Sequence, residues 1–181
     1  MTATYDSTAS PIQTVNKVSR RGRVLVVGCG RWCHGDDEAG LRAAAALQKM
    51  WLPGAEVILT ESPLADIVSH LDGTSLLIIL DAAREDGRHR AGDWIRIDST
   101  PIRPGIMSQT AVDTHSLSVD AALALAAELR LLPPRVWIYA MFAGRFGPCE
   151  GLSEAAQKGV ESVIREVARE VHEWVAEAGH A

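Results

Sequence analysis

The feature that most constrains this chain is the alternation of short apolar runs with stretches of helical periodicity. Residues 23–30 (RVLVVGCG), 55–62 (AEVILTES), 74–83 (TSLLIILDAA) and 135–144 (RVWIYAMFAG) are rich in β-branched and other apolar residues and bounded by turn signals. Each is the length of a strand. Their near-continuous apolar character marks strands covered on both faces, as in a parallel sheet. The run at 74–83 is the most hydrophobic and is predicted to be central. Between the runs, residues 36–51, 63–73, 115–132 and 151–179 carry apolar positions at helical spacing. Acids open the first of these helices, and Thr114 and Ser153 stand as caps for the third and fourth. Pro53, Gly73 and the pair Pro133–Pro134 supply stops. Residues 93–99 (DWIRIDS) alternate in character and read as an extra, more exposed strand, and 101–114 as a long irregular loop. The pattern predicts a single-domain three-layer α/β/α sandwich with a mostly parallel central sheet. It spans 23–178, after a mobile Ser/Thr-rich tail over residues 1–22.

Composition narrows the function. The chain has 181 residues, enough for one domain with a proper core. Its net charge of -5 leaves no basic stripe for nucleic acid or an anionic membrane. No stretch approaches the roughly 18 apolar residues of a membrane span. The segment SRRGRVLVVGCG resembles a twin-arginine export signal, but its apolar run is too short and acids follow at once. Cys29, Cys33 and Cys149 cannot form a fully paired disulfide set, so they read as reduced thiols of a cytoplasmic protein.

In open α/β sheets, sites gather at the carboxyl ends of the strands. That rule selects Gly28 to Asp37 after the first strand and Asp81 after the third. It also selects Arg145, Cys149 and Glu150 after the last. His115 opens a helix beyond the long loop, on a path back to the same edge.

Three constellations compete there. Gly28 and Gly30 begin a G-x-G-x-x-G dinucleotide pattern, and Glu61 could serve as its ribose acid, but position 33 is Cys. A helix N-terminus attracts a pyrophosphate through its partial positive charge, and Asp36 and Asp37 would repel that ligand. Cys29, Cys33 and His34 do not have standard zinc spacing. Nothing around the three cysteines marks a nucleophile activated by His115. Asp37, Asp81 and His115 could instead make an O,O,N metal site with open positions. Taken singly, each has an ordinary role: Asp37 beside a helix dipole, Asp81 capping a turn, His115 hydrogen-bonding locally.

These residues carry a resemblance. The chain resembles the [NiFe]-hydrogenase maturation proteases, the endopeptidases that trim the hydrogenase large subunit. That family shows a strand, G-x-G-N, a short apolar loop, and D-D/E-x-x-G opening a helix. Here Gly28-Cys29-Gly30-Arg31 precedes Gly35-Asp36-Asp37-Glu38-Ala39-Gly40 at matching spacing. Asp81-Ala82, Thr114-His115-Ser116-Leu117 and Gly151-Leu152-Ser153 match later motifs in the same order. The match runs from residue 23 to about 175.

The resemblance implies an endopeptidase that removes a short C-terminal peptide from the nickel-loaded precursor of a [NiFe]-hydrogenase large subunit. Asp37, Asp81 and His115 would contact the nickel, which the substrate carries, so no permanent cofactor is expected. They would either hold the metal to position the scissile bond or help activate water. The glycines would let the backbone turn tightly and aim Asp37 at a cation, while Asp36 serves the helix terminus and Glu38 is solvated. The chain departs from the family at Arg31, where Asn is usual, and at Trp32, Cys33 and His34, where the loop is normally apolar. Two alternatives remain: a dinucleotide-dependent oxidoreductase and a non-catalytic metal-sensing module.

Overall fold

The computed structural model describes residues 22–99, 114–148 and 151–179, with the backbone path alone for 114–118. Of the proposed tail over 1–22, residues 1–21 lie outside the described residues, as do the loop residues 101–113 and Cys149 and Glu150.

Among the described residues five strands and four α-helices follow in order: β1 (Val24–Cys29), α1 (Ala39–Met50), β2 (Ala55–Thr60), α2 (Pro63–His70), β3 (Leu76–Arg84), β4 (Trp94–Asp98), α3 (Thr114–Glu128), β5 (Arg135–Ala143) and α4 (Glu154–Gly179). The strands form one sheet in the order β2-β1-β3-β5-β4. β1, β2, β3 and β5 run parallel, and only the edge strand β4 is antiparallel. The three-layer, mostly parallel architecture expected from the strand–helix alternation is the one observed. β3, the most apolar run, is indeed central.

Strand alternation sends Val24, Val26, Leu76, Ile78 and Leu80 to one face, under Ala43, Ala44 and Leu47 of α1 and Val163, Val167 and Val171 of α4. Leu25, Val27, Cys29, Leu77 and Ile79 face the other way, under Ile67 of α2 and Val119, Ala122, Leu123 and Ala126 of α3. Leu76 through Leu80 are all fully buried. Each such side chain contributes roughly 1.5–3 kcal/mol of transfer free energy.

Two boundaries differ from the sequence reading. α3 stops well short of Pro133. Arg130 adopts φ 56°, its N–H bonds to the Ala127 carbonyl at 3.0 Å, and the Leu131 N–H reaches back to Ala126 at 2.9 Å. This double closure satisfies the last carbonyls of the helix, so the prolines are not what ends it. Asp81 does not follow β3 either. The strand continues to Arg84, and Asp81 is paired with Ala140 inside the ladder.

One buried polar group on the α4 side was not foreseen. Glu170 accepts hydrogen bonds from the Tyr139 hydroxyl and the Arg96 guanidinium, joining α4 to β5 and β4. Burial, followed by the hydrogen bond to Glu170, pushes the Tyr139 hydroxyl far above its ordinary range.

Candidate active site

β1 and β3 are neighbours from which the chain departs in opposite directions along the sheet, β1 leading to β2 and β3 leading towards β4 and β5. Such a switch point leaves a crevice at the carboxyl ends of the two strands. Asp37 lies in the turn that follows β1, and Asp81 lies on β3. In the register Gly28 faces Leu80, so β1 ends beside Asp81.

Glycine makes this crossing possible. A Cβ on Gly28 would lie 2.3 Å from the Gly40 carbonyl oxygen and 2.4 Å from Ala44 Cβ. A Cβ on Gly40 would lie 2.2 Å from the carbonyl oxygens of both Cys29 and Leu80. Gly28 and Gly40 therefore let α1 rest directly on the ends of β1 and β3. Gly30 has φ +148°, and a Cβ there would lie 2.0 Å from the Asp37 carbonyl oxygen. The glycines thus serve contact between helix and strands, and the place a pyrophosphate would take is filled by protein backbone and acids.

The turn before α1 is a short 3-10 segment, Asp36–Glu38, in which all three acids are buried. Asp36 is fully buried. Its carboxylate accepts from Gly144 N at 3.3 Å, Arg145 N at 2.9 Å, Ser153 N at 2.6 Å and Ser153 Oγ at 2.9 Å. It therefore serves the head of α4, not the terminus of its own helix. Ser153 in turn caps α4, its Oγ accepting from Ala156 N at 3.2 Å. Glu38, expected in solvent, is only 1% exposed. It accepts from Cys33 N at 2.8 Å and forms an ion pair with Arg42 at 2.6 Å, one helical turn on. Arg42 also lies over the exposed Trp32 ring, 5.1 Å from its centroid.

Asp37, between these two anchored acids, is 6% exposed, and Asp81 is 1% exposed. The Oδ1 of Asp81 accepts from Ala82 N at 3.0 Å. By strand alternation Asp81 shares the face of Leu77 and Ile79, where Cys29 also lies. Burial first, then the negative charges of Asp81 and Asp66, raise the Cys29 thiol well above its usual range. Cys33, by contrast, is exposed. In a Cys149→Ser background at pH 8, a thiol-specific disulfide reagent is expected to titrate Cys33 alone, and Cys29 only after denaturation. Equal native-state rates at the two thiols would contradict this assignment.

His115 lies in the first turn of α3. That helix leads into β5, which begins at Arg135 opposite Leu76, at the amino edge of the sheet. α3 therefore runs against the parallel strands and starts at their carboxyl edge, on the face that Cys29 occupies. Among the described residues no group of three His, Cys, Asp or Glu side chains is placed to hold a metal ion. The side chain of His115 lies outside them. Cys29, Cys33 and His34, which are described, form no such group.

The anchoring of Asp36 had no local signal, since its partners lie 108 to 117 residues away. That of Glu38 had one, the i,i+4 spacing to Arg42.

A scan against protein-family models finds no match. A search of curated proteins finds none either. Solved structures do match. The [NiFe] hydrogenase maturation protease HybD from Thermococcus kodakarensis is 21% identical with a TM-score of 0.70, covering 82% of this chain and 99% of that one. The hydrogenase maturating endopeptidase HybD from E. coli is 18% identical with a TM-score of 0.73, covering 83% of this chain and 93% of that one. A hydrogenase 2 maturation peptidase from a Thaumarchaeota archaeon is 25% identical with a TM-score of 0.60, covering 82% of this chain and 97% of that one. The likeness in fold points to the same family as the motifs, and the chain has the fold of the [NiFe]-hydrogenase maturation proteases.

Proposed function

We propose that the chain is an endopeptidase of hydrogenase maturation. It removes a C-terminal peptide from the nickel-loaded precursor of a [NiFe]-hydrogenase large subunit. The observation that carries this reading is the burial of two carboxylates on the segments that flank the switch point, Asp37 in the turn after β1 and Asp81 on β3. The first turn of α3, with His115, lies at the same edge.

Two carboxylates and an imidazole suit a divalent first-row cation and leave positions open for the thiolates that bring it. Nickel arrives as part of the substrate. Asp37, Asp81 and His115 hold it and so fix the scissile bond relative to the protein. Hydrolysis adds water across that bond: the oxygen joins the carbonyl carbon, and a proton goes to the departing amine. Recognition through the substrate's own metal makes cleavage conditional on nickel insertion.

The dinucleotide reading is disfavoured by the glycine packing, which leaves backbone and acids where phosphates would sit. A metal-sensing module without peptidase activity is separated from the proposal by one assay. Purified protein is incubated with tailed large subunit, nickel-loaded or nickel-free, and followed by gel mobility. Cleavage of the loaded form alone is expected. Two uncleaved forms, or equal cleavage of both, would refute the proposal.

A further inference from the structure

We infer that Asp36 is a positioning residue for Asp37, and that it works by locking the β5–α4 connection onto the turn that carries Asp37. The inference rests on the proposed contact between Asp37 and the precursor. It adds a residue to which no part in that contact has been assigned.

Asp36 is fully buried, with both carboxylate oxygens engaged. Oδ1 takes Ser153 N–H, and Oδ2 takes the N–H groups of Gly144 and Arg145 together with Ser153 Oγ. None of these donors belongs to α1 or to its own turn. The backbone repeats the connection: Asp36 N donates to the Arg145 carbonyl at 2.8 Å, and Gly35 bridges Phe146. A carboxylate used only to begin α1 would accept from α1. This one instead fastens the Asp37 turn to the end of β5 and the head of α4.

Asp37 follows immediately, and its own carbonyl is held from the other side. Arg31 N donates to it at 3.3 Å, and the bare Cα of Gly30 packs against it. The residue that meets the precursor thus has its backbone fixed between the β1 loop and the β5–α4 connection. Binding groups placed on a rigid support lose less freedom when they engage their target.

Asparagine cannot take over the role of Asp36. Its amide nitrogen would face either Ser153 N–H or the N–H groups of Gly144 and Arg145, donor against donor. Asp36→Asn is therefore expected to lower kcat/KM for the nickel-loaded precursor about 10- to 100-fold, as losses of groups that orient a metal contact do. Ser153→Ala removes one of the four bonds together with the Oγ cap of α4 but leaves the backbone donor, so a loss of only a few-fold is expected, with a modest fall in melting temperature from the lost cap.

A general structural role would lower the melting temperature without changing the rate of the folded fraction. The test is therefore made well below melting, with folding checked by circular dichroism. It includes a double-mutant cycle with Asp37→Glu, whose longer side chain reaches the same place by a different route. If Asp36 acts through Asp37, the loss caused by Asp36→Asn changes more than about threefold between the parental chain and the Asp37→Glu variant. The same factor in both backgrounds, or wild-type processing by folded Asp36→Asn, would overturn the inference. Should Asp36→Asn fail to fold, Ser153→Ala decides, assayed on folded protein well below its own melting temperature: a few-fold loss in processing supports the inference, and a wild-type rate refutes it. Full processing by folded Asp37→Asn would instead refute the reading on which the inference depends.

Discussion

Gly40→Ala is expected to yield protein that is unfolded or aggregated, although alanine is the better helix former by up to about 1 kcal/mol. Gly40 lies in the first turn of α1. The added methyl would lie 2.2 Å from two carbonyl oxygens, those of Cys29 and Leu80. Both belong to β1 and β3, which are tied in parallel register, so neither can retreat without breaking the ladder. The helix would have to lift from the sheet and uncover Ala43, Ala44 and Leu47. The expected cost exceeds about 4 kcal/mol, a large part of the roughly 5–15 kcal/mol available to a domain of this size. Gly87→Ala is the control, because nothing lies within 4 Å of a Cβ there. Its effect should stay within about 0.5 kcal/mol. Soluble yield, circular dichroism and urea midpoints separate the two variants, and a folded Gly40→Ala protein melting like the parent would refute the packing argument.

The second large effect concerns function without fold. Asp81→Asn and Asp37→Asn are each expected to reduce processing of the nickel-loaded precursor by roughly 100-fold or more, beyond what loss of a group behind a ligand costs. Asparagine keeps the volume of both side chains. At position 81 its carbonyl oxygen can still accept from Ala82 N, and the β3 ladder is untouched because its bonds are backbone. Arg31→Asn serves as the internal control. Arg31 is exposed at the edge of the site, and asparagine is the residue the resemblance leads one to expect there, so processing should be retained. Precursor mobility on a gel, with folding checked by circular dichroism, gives the answer. Complete processing by folded Asp37→Asn and Asp81→Asn proteins would remove both residues from the nickel contact.

Period and composition were enough to read the layers of this fold, because strand and helix patterns alternate and the parallel strands are largely apolar on both faces. The most apolar run became the middle strand for the same reason: it is covered on both sides along its whole length. What escaped was set by groups distant in sequence. Nothing near Asp36 announces that its carboxylate will meet Ser153. Nothing near Glu170 announces Tyr139 and Arg96. Asp81 looked like a residue beyond its strand because a carboxylate inside a buried ladder is uncommon. The two prolines looked like the stop for α3, but Arg130 had already closed it in a left-handed conformation that sequence does not advertise for arginine. For the candidate site, the order of short motifs singled out Asp37, Asp81 and His115. The work done by Asp36 and Glu38 on either side of Asp37 became visible only in three dimensions.

The order β2-β1-β3-β5-β4 has a consequence for how this chain is made. β4 leaves the ribosome before β5, yet β5 is its only strand partner in the described sheet, and β5 must insert between two strands already synthesised. Until residues 135–143 emerge, β3 presents an open, apolar edge nine residues long. An edge of that kind recruits other chains, and pairing that waits for distant sequence is slow. Truncation before Arg135 therefore does more than delete a helix and a strand: it leaves an adhesive template, and premature termination or stalled synthesis would be met as aggregation before it was met as lost activity.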